Sequence, residues 1–108
     1  MQTNDAYCPV TATITVIGGK WKPIILWLLH DQVRRFGEMK RFIPNVTQKM
    51  LTQQLRELEN DGIINRKVYP VVPPKVEYSL SKYGKTLIPI LDSMATWGRE
   101  HKESLKNP

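Results

Sequence analysis

Lys49, Thr52, Gln53 and Arg56 stand at spacings that a single helix would gather onto one face. With Leu51 placed at 0° and about 100° added per residue, Leu55 and Leu58 fall within roughly 40° of it, while the four polar residues fall roughly 100° to 200° away. The polar face then offers two cations, an amide and a small hydroxyl, with no carboxylate among them. Such a set suits a polyanionic duplex: cations for phosphates or guanine edges, an amide for adenine, and a small side chain that lets a backbone approach a groove. Gln48 opens the same segment, and Thr47 before it is a natural N-cap. The charge around this segment is lopsided: positions 34 to 56 hold Arg34, Arg35, Lys40, Arg41, Lys49 and Arg56 against the single acid Glu38. A second basic group, Arg66, Lys67 and Lys75, follows. On a lone helix a polar face is an ordinary solvated surface, so the neighbouring elements must decide.

Cys8 is the only cysteine, which excludes an internal disulfide and a thiolate zinc cage. It sits beside Pro9 at the start of a helical pattern, where the helix dipole and nearby Lys20 or Lys22 would favour the reactive thiolate. His30 and His101 have no local acid or nucleophile pattern, and no phosphate-cradling glycine motif occurs. The reading is therefore not an enzyme, with no metal and no cofactor.

The 108 residues, 41% hydrophobic and 24% charged, suit one globular domain, 1–108, with its core at about 8–98. The longest apolar run, Ile24 to Leu29, falls far short of the roughly 20 residues that span a bilayer. Met1 to Asp5 lacks the charge and apolar stretch of a leader. The expected compartment is the cytoplasm. A formal charge of +6 points to a polyanionic partner, with nucleic acid first.

The elements that would position these residues follow from the pattern. A helix is expected from Pro9 to Ile17, broken by Gly18-Gly19, and a second from Trp21 to Leu29 with Pro23 tolerated near its start. Val33 to Phe36 reads as a short strand. Met39, Phe42 and Ile43 give a third helix its apolar face, and it must stop before the Pro44-Asn45 turn. The fourth helix runs from Gln48 to about Asn60, with Gly62 as a left-handed cap. Ile63 to Tyr69 and Lys75 to Leu80 then form a hairpin whose tip holds Pro70, Pro73 and Pro74. Ser81 caps a last helical segment in which Pro89 starts a new stretch or a kink. Helix, turn, helix and then a cationic hairpin is the order of a winged helix-turn-helix: mostly α with a small β-hairpin wing, an α+β fold.

Four segments carry a resemblance: Gly18-Gly19-Lys20-Trp21; Arg35-Phe36-Gly37-Glu38-Met39; the run from Met50 to Gly62; and Pro73-Pro74-Lys75-Val76-Glu77-Tyr78-Ser79-Leu80-Ser81. In this order the chain resembles the HxlR family of bacterial winged-helix regulators, related to the MarR-type proteins. The resemblance implies a homodimeric transcription regulator with N- and C-terminal helices at the interface. It places Gln48 to Arg56 in the major groove and the hairpin around Lys75 near the minor groove. It also adds weight to Cys8, because some members carry a redox-responsive cysteine near the N-terminus; with no second cysteine, a disulfide here would join two chains or capture a small thiol.

The apolar stripe Leu87, Leu91, Met94 and Trp97, joined by Val10, Ile14 and Ile17, is the expected dimer interface. A compact domain of this length has a radius of gyration near 13 Å, so paired copies set their reading helices about 34 Å apart, one duplex turn. Arg34, Arg35, Lys67 and Lys75 would hold phosphates, while Lys49, Thr52, Gln53 and Arg56 discriminate bases. The expected function is a homodimeric repressor on a palindromic operator, with an oxidant or electrophile as candidate effector. The rival reading is a winged-helix module that binds an acidic protein.

Overall fold

Pro at the first helical position and the Gly18 break set the bounds of α1, Pro9–Ile17, in the computed structural model, which describes residues 8–106. Positions 1–5, where no leader is expected, lie outside the described residues. Then come α2 (Lys22–Leu29), α3 (Phe36–Phe42), α4 (Gln48–Asn60), β1 (Ile64–Tyr69), β2 (Lys75–Leu80), a 3-10 turn (Gly84–Leu87) and α5 (Ile88–Lys106). Ile25, Leu26, Met39, Leu51, Leu55 and Leu58, at most 2% exposed, form the centre of the core, and α2 packs against α4, α5 and β2.

Two expectations change at α3. The strand proposed for Val33–Phe36 shrinks to one antiparallel bridge, in which Arg34 and Tyr78 exchange both backbone hydrogen bonds at 3.0 and 2.8 Å. The reason is local: the Arg35 N–H donates to the Glu38 carboxylate at 2.9 Å, so the chain turns into a helix at Phe36. Phe42 also leaves the core. It is 57% exposed, with the Arg34 guanidinium 4.8 Å above its ring, while Met39 and Ile43 remain buried.

The turn at Pro44-Asn45 delivers the chain to Thr47, whose hydroxyl accepts the Met50 N–H at 3.0 Å and caps α4. At the other end Gly62 adopts φ 74°, and the Gly62 and Ile63 N–H groups reach back to the carbonyls of Glu59 and Leu58. That pairing is a Schellman cap, and it sends the chain straight into β1.

β1 and β2 pair antiparallel in a register that sets Ile64 against Leu80, Lys67 against Glu77 and Tyr69 against Lys75. Ser81 then ties the hairpin's base to α4. Its hydroxyl donates to the Gly62 carbonyl at 2.6 Å and accepts the Gly84 N–H at 2.8 Å. So the expected cap at Ser81 opens the 3-10 turn, and Pro89 starts α5 rather than bending it.

The radius of gyration is 15.9 Å, above the 13 Å expected of a compact domain, because the hairpin and the 19-residue α5 project from the core. Leu91 is the buried residue of α5. No single helix among the described residues is long and apolar enough to cross a membrane.

A Cβ at Gly84 would lie 2.0 Å from the Ile63 carbonyl oxygen, so the close approach under Ser81 needs glycine. Gly84→Ala should therefore lower the free energy of unfolding by about 1–3 kcal/mol, read as a drop in the urea midpoint.

Candidate nucleic-acid interface

Burial of Leu51, Leu55 and Leu58 fixes which way α4 faces. Gln48, Lys49, Gln53 and Arg56 are exposed on its outer side and Thr52 is half-buried at its edge. With Glu57 these five line a shallow concavity of about 670 Å³. The structure thus brings together the polar set of α4 that the helical spacing predicts.

Glu57 links this face to the core. Lys22 is a buried charged residue, and its ammonium lies 2.6 Å from a Glu57 carboxylate oxygen. The other Glu57 oxygen accepts from the Gln53 amide at 3.2 Å. A buried cation on α2 therefore holds a carboxylate on α4, and the carboxylate holds the side chain suited to adenine. The Glu57 carboxyl lies below its ordinary value, first through the Lys22 hydrogen bond, then through Gln53 and the Lys22 charge.

The hairpin carries a second cluster. Lys67, Tyr69, Lys75 and Glu77 share one face, with both ammonium groups 4.8 Å from the Tyr69 ring centre. Glu77 accepts from the Tyr69 hydroxyl at 2.9 Å and pairs with Lys75 at 3.3 Å. The Tyr69 hydrogen bond is the main cause of its lowered pKa, while burial opposes the shift and Lys75 and Arg35 add to it.

Among the described residues, no carboxylate lies within 4.0 Å of the charged groups of Lys49, Arg56 or Lys67. Arg35 is exposed at the start of α3. Arg34 is placed differently: its Nε donates to the Leu28 carbonyl at 2.7 Å and its guanidinium covers Phe42, so it braces α2 against the hairpin. Arg66, absent from the expected set of DNA-contacting residues, joins this surface. It lines a cavity of about 320 Å³ with Thr52, Arg56, Glu59 and Tyr78, between α4 and the hairpin. The period-2 pattern held the signal, since Arg66 pairs with the core residue Tyr78 and so points to the α4 side.

The residues expected at a dimer interface divide. Ile17 and Leu91 are buried in the chain's own core and Leu87 packs against it. Val10, Ile14, Met94 and Trp97 are 48–66% exposed. An apolar groove of about 440 Å³, lined by Val10, Ile14, Ile17, Pro23, Ile90 and Met94, joins α1 to α5.

Cys8 is exposed at the N-cap of α1. Its thiol is shifted down first by the Thr11 hydroxyl, then by the Thr11 and Val10 backbone N–H groups. The helix start itself favours the thiolate, as its position beside Pro9 suggested. The expected lysines take no part: Lys22 is committed to Glu57, and Lys20 sits 4.7 Å from the Trp21 ring. His30 stacks on Trp27 and His101 on Trp97, and no cluster of three metal-ligating side chains occurs among the described residues.

A capped, cation-bearing helix held across a tight turn from a shorter one, with a basic hairpin beside it, defines a winged helix-turn-helix, the fold of a DNA-binding transcriptional regulator. The chain belongs to the HxlR-like helix-turn-helix family, whose profile matches residues 16–106. It is 62% identical over 101 residues to the HTH-type transcriptional regulator YtcD of Bacillus subtilis (strain 168), covering 94% of this chain and 80% of that one. Its fold is similar to that of the redox regulator HypR in the oxidised form, with a TM-score of 0.84, 56% identity and coverage of 86% of this chain and 96% of that one. Against reduced HypR the TM-score is 0.86 at 52% identity, covering 93% and 99%.

A carboxylate whose pKa is lower folded than unfolded stabilises the fold fully above its ordinary value, here 4.5, and the gain is lost as pH falls through the lowered value. Urea midpoints of the wild-type chain should therefore fall between about pH 5 and about pH 3. Glu57→Gln should flatten that decline.

Proposed function

We propose that the chain is a homodimeric repressor that occupies a palindromic operator, with one α4 per major groove. The observation that carries this reading is the outward face of α4, where Lys49, Gln53 and Arg56 stand exposed opposite three buried leucines. Base discrimination falls to Lys49, Thr52, Gln53 and Arg56, and Gln48 and the N-terminal turn at Thr47 meet the backbone. Arg35, Lys67 and Lys75 supply phosphate contacts, and Arg66 joins them from the α4 side of the hairpin. Arg34, bonded to Leu28, contributes mainly by bracing these elements.

Exposed Val10, Ile14, Met94 and Trp97 along the α1–α5 groove support pairing of two copies there. Cys8 opens α1, next to that face, and its lowered pKa favours reaction with an oxidant or electrophile. The relative named as a redox regulator adds support. With a single cysteine, oxidation ends in a disulfide between chains or with a small thiol.

A duplex selected by the wild-type chain from a random library tests the reading. Replacing Lys49, Gln53 and Arg56 with alanine should abolish binding with the thermal midpoint unchanged, whereas unaltered affinity would favour an acidic protein partner. Arg66→Ala should weaken all duplexes alike and reduce the log-salt slope by about 0.9 for the one phosphate it no longer neutralises. The wild-type chain should sediment as a dimer and Met94→Lys as a monomer.

Diamide should lower affinity for the selected duplex in the wild-type chain and leave Cys8→Ser unaffected. Full oxidation of Cys8 with unchanged binding would remove the sensing role.

A further inference from the structure

The tip of the hairpin is apolar throughout. Pro70, Val71, Val72, Pro73 and Pro74 carry no charge and no side-chain hydrogen-bonding group. Val72 is 100% exposed and Val71 51%, at the end of an element that reaches away from the core. Nothing within the described residues covers Val72, and prolines stiffen the loop, so its shape is set before any partner arrives.

What flanks the tip identifies the partner. Lys67 on β1 and Lys75 on β2 both lie against Tyr69, at the tip's base. The duplex minor groove is about 6 Å wide and walled by the phosphates of its two strands. A hairpin with a cation on each strand and an apolar end matches phosphate walls around a narrow floor. The hairpin also adjoins α4 across the cavity lined by Thr52, Arg56 and Arg66, so an α4 in the major groove brings the tip to the neighbouring minor groove.

Resting on the DNA reading above, we propose that Val71 and Val72 form an apolar wedge that enters the minor groove and senses its width and deformability. The wedge has no side-chain donor or acceptor with which to read base edges. Its selectivity comes from the cost of opening the step it enters, least for flexible pyrimidine–purine steps. Lys67 and Lys75 hold the strands on either side, and Glu77 keeps Lys75 in place.

The test uses the full chain and the duplex it selects, resynthesised with 2,6-diaminopurine for adenine at single positions. This base adds an amino group to the minor groove and leaves adenine's major-groove edge intact. The wild-type chain should lose about tenfold in affinity where the tip enters. Val72→Ala should bind the unmodified duplex about fivefold more weakly and be indifferent to the added amino group, with its thermal midpoint unchanged. Val72→Ala binding as tightly as the wild-type chain overturns the proposal, as does indifference of the wild-type chain to every substitution. In either case, loss of the duplex by the Lys49, Gln53 and Arg56 variant keeps the DNA reading standing. Failure to select any duplex sinks both.

Discussion

The rotation of α4 about its own axis is the constraint from which the rest of the structure follows. Leu51, Leu55 and Leu58 bury almost completely, and burying each contributes roughly 1.5–3 kcal/mol that any turn of the helix would forfeit. The Lys22–Glu57 pair then adds a directional constraint to a non-directional one. A buried ammonium without its carboxylate is costly, so α4 keeps Glu57 over α2. Lys49, Gln53 and Arg56 face outward as a consequence of those buried partners, not through any preference of their own. The same pair orients Gln53 before any ligand is present, which reduces the ordering that recognition would require.

A helix set in this way needs a hairpin set relative to it, and the structure provides that through backbone groups. Gly62 ends α4 in a left-handed turn, Ser81 bonds back to the Gly62 carbonyl, and Gly84 closes against Ile63 where no side chain would fit. On the other side Arg34 exchanges two backbone bonds with Tyr78. The hairpin is thereby fixed at its base from both flanks, while its tip stays out of the core. Arg66 on the hairpin lines one cavity with Thr52 and Arg56 on α4, so the two elements share a surface there, a requirement for touching two grooves of one duplex.

The sequence made the elements legible because each is marked by a local signal: Thr47 and Gly62 around a leucine period, prolines between two alternating runs, Pro9 and Gly18 around α1. What it concealed were pairings between distant positions. Lys22 was expected to favour the Cys8 thiolate, yet its partner is Glu57, 35 positions on. Phe42 fits the helical period of α3 but belongs outside, because Arg34 offers its ring a cationic cover and the core is already filled by Met39 and Ile43. Val33 to Phe36 has strand composition, but the Glu38 carboxylate captures the Arg35 N–H and starts a helix after one bridge. Arg66 was visible as charge, although only its register opposite Tyr78 showed that it points toward α4.

Under the sensing role proposed for Cys8, the division of the apolar stripe limits how a change there could travel. Ile17 and Leu91 close the monomer core, whereas Val10, Ile14, Met94 and Trp97 leave an apolar face on α1 and α5. Cys8 stands at the N-cap of the helix that carries half of that face, exposed, with its thiol pKa lowered by the start of α1. Modification there adds bulk beside Val10 at the start of α1, but touches no residue that sets α4. The reading helix of each subunit would therefore keep its own geometry after oxidation. In the proposed dimer, what remains to change is the placement of one subunit against the other, and with it the separation of two helices that must match one turn of duplex. An interface displacement of a few ångströms is enough to lose that match, since base-edge hydrogen bonds weaken steeply beyond about 3.2 Å.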